Sequence, residues 1–456
     1  MPQSAIDAVP SNEEGILQSL INIRSQLSVL KKNRSSYIKS SDVTKIYEEL
    51  IPQIKKINDI RSNPALQNEH NRLDVVLDDV FQLLSLAFMT VGLTRAVPAT
   101  FASLSTVHRL LQHLKESKIY SDNDTKPIHK RLDEIQEIVN ANADSELPEI
   151  VHLIKNKLKV CKQILSEVED SMKTVAPELQ PILRKLVTIR REILSIGSKP
   201  KFSASAFKPI KKALTEIENK RVDGEFVAED GSVVEQGQGV LNGLLEECHT
   251  FLNDFAASAA NQTGANLPKE LKPAYDELVA MKSKLESLLV THRWTLRETD
   301  LYTYQKKLHE IDELREGPEF AELSKTAPKL SSIILYLLRR CYAILYKLLE
   351  SSEPVSEALI PIHNQLSTVR RCLLEVQRMG GLSSPRELYP YQMKLASIDD
   401  LRVDGKFMVD GAIPEGQGML NALLSECFDI THELRVQIQD KEEENEDDND
   451  KEEDNE

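Results

Sequence analysis

The chain has little of what a secreted, membrane or nucleotide-handling protein needs. Aromatic residues make up 5% of its 456 positions, with one tryptophan, Trp294. Glycine and proline number only 16 and 20, in keeping with a folded protein. The five cysteines form no CxxC pair, which argues against a disulfide framework and for a reducing compartment. No secretory leader is visible, because Met1 to Glu14 has no apolar core. The longest uncharged apolar run, Val80 to Thr94, is shorter than the ~20 residues that span a bilayer and reads as a buried helix. The histidines make no HxxxH or HExxH pair, GxSxG is absent, and no Walker lysine is present.

What is present favours helix. Leu, Ile, Lys and Glu dominate. The net charge of -15 is uneven: Gln437 to Glu456 hold twelve acidic residues and two lysines, a net of -10, which leaves about -5 for the body. Such a self-repelling run buries too little apolar surface to fold, so a disordered acidic tail is expected over 439–456, with basic proteins as one class it could contact. Lys31, Lys32 and Arg34 form a small basic cluster. No face is basic enough for nucleic acid, so no nucleic-acid partner is expected.

The chain repeats itself. Arg221-Val-Asp-Gly-Glu-Phe226 matches Arg402-Val-Asp-Gly-Lys-Phe407, and Gly237-Gln-Gly-Val-Leu-Asn242 matches Gly416-Gln-Gly-Met-Leu-Asn421. Upstream of each pair, and elsewhere, a first helix carries apolar residues at positions 0, +3, +7 and +10: Leu20, Ile23, Leu27, Leu30; Leu104, Val107, Leu111, Leu114; Leu186, Ile189, Ile193, Ile196; Leu278, Met281, Leu285, Leu288; Leu366, Val369, Leu373, Val376. That spacing draws one stripe along a helix. Position +4 is Arg24, His108, Arg190, Lys282 or Arg370. A second helix repeats a pair three apart (Ile54/Ile57, Leu132/Ile135, Leu214/Ile217, Leu308/Ile311, Leu395/Ile398), followed in four copies by arginine at 61, 221, 315 and 402. A third helix carries Cys161, Cys248, Cys341 and Cys427, with Val80 in the first copy.

The expected fold is therefore all-α, a tandem array of five diverged three-helix units packed as bundles or a solenoid. The Ala-, Asn-, Gly- and Ser-containing stretch 256–267 is the loosest joint, and it divides the chain as follows: a disordered 1–12, a helical domain 13–258 of three units, a linker 259–267, a helical domain 268–438 of two, and the tail 439–456. The repeated cysteines read as small core residues, since soft-metal sites want clustered ligands. Cys372 stands outside the pattern and is the expected exposed thiol. The arginines ending the second helices suit helix C-termini, and the acids Asp59, Asp312, Asp399 and Asp400 suggest ion pairs with the basic +4 positions.

Two loops are the candidate binding residues. In the third unit they comprise Arg221, Asp223, Gly224, Phe226, Gly237, Gln238, Gly239 and Asn242. In the fifth they comprise Arg402, Asp404, Gly405, Phe407, Gly416, Gln417, Gly418 and Asn421. Paired Asp-Gly steps (223–224 with 230–231, 404–405 with 410–411) predict a small hairpin or compact loop. The loops either fold back to brace the bundle with the phenylalanines tucked in, or dock a protein, or hold an anion at the helix starts that follow the glycines. A GxGxxG reading fails, since no strand precedes it, and the acidic spacing is not that of an EF-hand.

The duplicated Arg-Val-Asp-Gly and Gly-Gln-Gly signature resembles an uncharacterised fungal family built on a repeated domain of unknown function, over about residues 12–436. The resemblance implies a conventional protein of fungal cytoplasm and nucleus and brings no catalytic or binding residues. The expected function is a non-enzymatic scaffold or adaptor in the cytoplasm, with the nucleus also open. No cofactor, metal or catalytic residue is expected, and the protein partner is unnamed. A phosphate- or metabolite-sensing protein and an enzyme of unrecognised type are the alternatives.

Overall fold

The computed structural model describes residues 9–61, 71–117, 119–199, 202–228, 232, 234–260, 272–291, 296–315, 320, 325 and 328–453, the backbone alone at 257–260, 291, 328–329 and 441–453. The described residues are helical almost throughout, and strand is confined to two short hairpins. The helices are α1 (Glu14–Lys32), α2 (Ser40–Arg61), α3 (Arg72–Thr90), α4 (Thr100–Ser117), α5 (Asp122–Ala141), α6 (Pro148–Met172), α7 (Gln180–Gly197), α8 (Lys208–Glu218), α9 (Gln238–Ala260), α10 (Lys272–Thr291), α11 (Leu301–Arg315), α12 (Pro328–Glu350), α13 (Ile360–Arg378), α14 (Pro385–Asp399) and α15 (Gln417–Glu453).

The apolar stripes do what their spacing requires. In every copy the first three members of the first-helix quartet are buried, and so are all members of the second-helix pairs. First helices pack on third helices in five pairs: α1 on α3, α4 on α6, α7 on α9, α10 on α12 and α13 on α15. The seam is the same each time a cysteine is present. Cys161 Sγ lies 3.9 Å from the Leu104 carbonyl oxygen, Cys248 4.0 Å from that of Leu186, Cys341 3.9 Å from that of Leu278, and Cys427 3.7 Å from that of Leu366. Each of these leucines is position 0 of its stripe. Cysteine is small enough to let the helices approach and supplies a weak S–H donor to a carbonyl.

Three of the five basic +4 positions pair with the acid just before the marker residue. Arg24 meets Asp79, Arg190 meets Glu247, and Arg370 meets Glu426, at 3.0, 2.8 and 2.6 Å. This corrects the expected pairing with Asp312 and Asp399, which instead serve the arginines at the ends of the second helices. Arg315 holds Asp312 and Glu116, Arg402 holds Asp399, and Arg61 ties Glu13 at the start of α1 to Asp74 in the first turn of α3. In an antiparallel triplet the C-terminus of the second helix lies beside the starts of the other two, so one guanidinium reaches both acids.

Contacts divide the chain into two units, neither of them one stretch of sequence. One comprises Met1–Ala99, Arg293–Thr299 and Ser352–Glu456, and the other Thr100–His292 and Asp300–Ser351. This is not the sequential division into 13–258 and 268–438. Of the linker expected at 259–267, α9 takes in Ala259 and Ala260, and 261–267 lies outside the described residues. The second unit shows the reason. α12 buries Ile333, Ile334, Leu337, Leu338, Tyr342, Ile344, Leu345 and Leu348, a broad apolar face, while Arg340, Lys347 and Glu350 on the other side are exposed. So wide an apolar face needs more cover than one neighbouring helix gives, and α12 contacts α4, α7, α10 and α11. In the first unit, Arg297 forms a largely buried ion pair with Glu357 at 2.5 Å, and Glu357 also accepts from the Ile38 N–H at 2.7 Å.

The backbone of α15 runs as helix to Glu453, and among its described side chains the last buried one is Ile438. Glu and Lys are good helix formers, and the packed part of α15 supplies the nucleus that an isolated helix would lack.

Two outcomes follow from the packing. Burial pushes the Cys161, Cys248 and Cys341 thiols up to about 12 and that of Cys427 to about 11, whereas Cys372 is exposed. A thiol reagent should label Cys372 alone in the native protein and all five cysteines after denaturation, as counted by mass spectrometry. The second concerns Asp312. Burial by itself would raise its pKa, but hydrogen bonds and charge from His113 (3.0 Å) and Arg315 (2.8 Å) outweigh it and hold the carboxyl at about 2. A carboxylate lowered on folding stabilises above its unfolded pKa and loses that contribution as pH falls through the folded value. Stability worth about 2 kcal/mol should therefore fade between roughly pH 4 and pH 2. Asp312→Asn should flatten that part of the stability–pH curve.

Candidate functional site

Both loops open with a two-residue hairpin. β1 (Arg221–Val222) pairs with β2 (Glu225–Phe226), and β3 (Arg402–Val403) with β4 (Lys406–Phe407), both antiparallel. The turn residues have positive φ throughout: Asp223 51° and Gly224 86°, Asp404 51° and Gly405 74°. Two successive left-handed residues make the turn whose twist suits a tight hairpin, and Asp-Gly is the dipeptide that tolerates it. In the fifth copy the second Asp-Gly step, Asp410 and Gly411, closes another turn under a Val409–Ala412 bridge. Its counterpart, Asp230-Gly231, lies outside the described residues.

Strand alternation then sorts the side chains. Arg221 pairs with Phe226 and Arg402 with Phe407 on the inward side, and both phenylalanines are fully buried. Arg221 lies 5.1 Å from the Phe226 ring centroid and donates to the Gly224 carbonyl, while Arg402 reaches Asp399 and the Asn421 side chain. Asn421 in turn donates to the Gly405 carbonyl at 3.3 Å. Asn242, its counterpart, has a buried Oδ1 without a hydrogen-bond partner.

The glutamines of the Gly-Gln-Gly steps act as strand mimics. Gln238 Oε1 accepts from the Phe226 N–H at 2.9 Å while its Nε2 donates to the Phe226 carbonyl at 2.7 Å. Gln417 does the same to Phe407, at 2.9 and 2.8 Å. One amide thus satisfies both backbone groups of the buried phenylalanine, which would otherwise be costly to leave unpaired. The first glycine of each step is held at φ 103° (Gly237) and 106° (Gly416). A Cβ there would sit 2.9 Å from Val175 Cα or 2.8 Å from Val355 Cα. The loop backbone lies against the segment leading into the first helix of its own triplet, where Ala176 N–H donates to the Gln236 carbonyl and Ser356 N–H to that of Glu415. The second glycines, Gly239 and Gly418, meet nothing within 4 Å.

The sixteen candidate residues are therefore brought together as two matching clusters, with their inward members engaged by the chain itself. Sequence reasoning missed the outward face. Val222 and Val403 are 52% and 55% exposed, and around the second hairpin Leu401, Met408, Ile413 and Met419 are exposed as well. Alternation on either side of Phe407 held that signal, since a buried Phe407 turns Lys406 and Met408 out. Among the described residues no group of three or more His, Cys, Asp or Glu side chains is placed to hold a metal ion, and no helix is long and apolar enough to cross a membrane.

The profile of a family described as protein of unknown function (DUF2408) matches residues 172–298 and 352–452, and each segment contains one of the two hairpins. The chain belongs to this family. It is 46% identical to a Saccharomyces cerevisiae protein named "Cu(2+) suppressing and bleomycin sensitive protein 1", over 95% of this chain and 91% of that one. It is 41% identical to a CUB1 family protein of Schizosaccharomyces pombe, over 95% of both chains. No solved structure matches it.

The two glycines of one step should respond oppositely to alanine. Gly416→Ala forces a Cβ into Val355 at a positive φ and should cost about 1–3 kcal/mol. Gly418→Ala, in the first turn of α15 with open space around it, should be neutral or gain up to about 1 kcal/mol. Denaturant midpoints of the two variants check this, and equal effects would show that the glycine backbone conformation is not what the loop requires.

Proposed function

We propose that the chain is a non-enzymatic helical scaffold that docks a protein partner on the outward faces of its twin hairpins, chiefly the second. The observation that carries this reading is the division of labour within each loop. Phe407, Gln417 and Gly416 are engaged in holding the loop to its own triplet, yet Leu401, Val403, Met408 and Ile413 are left facing water on the same small structure. Tight internal bracing of a surface loop keeps its outer side chains ordered before binding, which lowers the entropy lost on association. Clustered exposed apolar side chains mark interaction sites more often than scattered ones do. Repetition at Val222 and Val240 in the third triplet, matching Val403 and Met419, gives two related faces in one chain.

The S. cerevisiae relative's name speaks of copper and bleomycin, two stresses rather than one substrate. An adaptor serving a stress response in cytoplasm or nucleus accommodates both. The acidic C-terminal segment offers such an adaptor a second contact, with a basic protein.

Affinity purification from native cells followed by mass spectrometry tests the reading. Val403→Asp with Met408→Asp should lose a defined set of partners, with affinity for a purified one falling at least about tenfold. Val290→Asp, a charge placed at an exposed valine of α10 far from either loop in sequence, should keep that set. Retention of every partner by the double variant would sink the hairpin assignment.

A further inference from the structure

The second unit contains a cavity of about 420 Å³ lined by the C-terminal end of α4 and by α7, α9 and α12. That volume falls within the range of small-molecule sites. Three arginines line it, Arg190, Arg191 and Arg339, and their partners differ. Arg190 is held bidentate by Glu247 at 2.8 and 3.1 Å, which neutralises both. Glu116, the other acid in the lining, is taken up by Arg315. Arg191 gives one Nη2 hydrogen bond to Asp124 at 2.6 Å, but its Nε is buried without a partner. Arg339 has no ion-pair partner among the described residues; its hydrogen bond runs from Nη1 to the Ile119 carbonyl oxygen at 3.3 Å.

Formal charges around the cavity therefore cancel in pairs until Arg339, which is left over. Burial, and then repulsion from Arg191 and Arg190, hold the Arg339 pKa down at about 10 despite the attraction of Asp124. Leaving a charge uncompensated in such a place is expensive. The fold bears that cost in a cavity with open volume, which Ser332 and Tyr336 line beside Arg339 on one face of α12.

We infer that this cavity binds a phosphate-bearing small molecule, with Arg339 and Arg191 as the residues that hold its phosphoryl oxygens. Guanidinium groups match phosphate because their planar forks donate two parallel hydrogen bonds to one oxyanion. A phosphoryl group would receive the unused donors of both arginines and balance the surplus charge. The remaining volume suits a body such as a sugar rather than the ion alone. This site is distinct from the Gly-Gln-Gly helix starts and does not depend on the hairpin docking proposed above.

The test is isothermal titration calorimetry of the full chain with inorganic phosphate, pyrophosphate and a hexose phosphate, at constant ionic strength. Binding of at least one probe should weaken tenfold or more in Arg339→Gln and remain unchanged in Arg378→Gln, an exposed arginine of α13 in the other unit. A hexose phosphate that binds more tightly than phosphate identifies an organic ligand, and equal affinities identify the free ion. Arg339→Lys keeps the charge but loses the fork, so it too should bind more weakly, which preserves the test if the glutamine variant fails to fold. Absence of binding by all three probes, or equal binding by wild type and both Arg339 variants, overturns the inference.

Discussion

The close seam between first and third helices is the constraint on which the rest depends. A sulfur 3.7–4.0 Å from a leucine carbonyl on the facing helix places a small apolar side chain at the closest approach of the two helices. Val80, compact as well, is fully buried at the same place in the first copy. With the seam fixed, the second helix closes the triplet through its apolar pair, and the arginine at its end is engaged locally: Arg61 by acids at two helix starts, Arg315 and Arg402 by an acid one turn back. Many features that look like chemistry in the sequence, including four recurrent cysteines and four recurrent arginines, are consequences of this packing.

The hairpin loops depend on the seam as well. They bridge from the second helix to the third and lean on the segment entering the first, so they touch all parts of a triplet already assembled. Gln238 and Gln417 show how a loop is fixed without extending a sheet: one side-chain amide replaces the missing neighbouring strand for one buried phenylalanine. That economy lets a two-residue strand remain ordered, and it separates an inner face committed to stability from an outer face left exposed.

Buried charge marks places where segments distant in the chain meet within one unit. Asp312 with His113 and Arg315 in the second unit, and Arg297 with Glu357 in the first, are satisfied from more than one segment. Arg339 departs from that rule, which is why the cavity beside it stands out from the surrounding structure. Asp312 and Arg315 stand out in the sequence, but His113, Arg297, Glu357 and Arg339 do not, because their setting depends on partners distant in the chain: His113 and Asp312 are 199 residues apart.

The sequence by itself determined the helices, their stripes and the Asp-Gly turns, because period 3.6 and left-handed φ are local properties written in neighbouring residues. It also showed that the cysteines are core residues, since one per copy on an apolar stripe is a packing pattern. Only the tertiary structure decided which triplets share a unit, since that turns on the broad apolar face of α12 needing cover from α4 and α7 as well as from its own triplet. Tertiary structure likewise settled which acid each arginine meets, and that Gly416 rather than Gly418 is the constrained glycine. The physical reason is the same in each case: long-range partners are chosen by shape and charge in three dimensions, and spacing along the chain records only the local half of that choice.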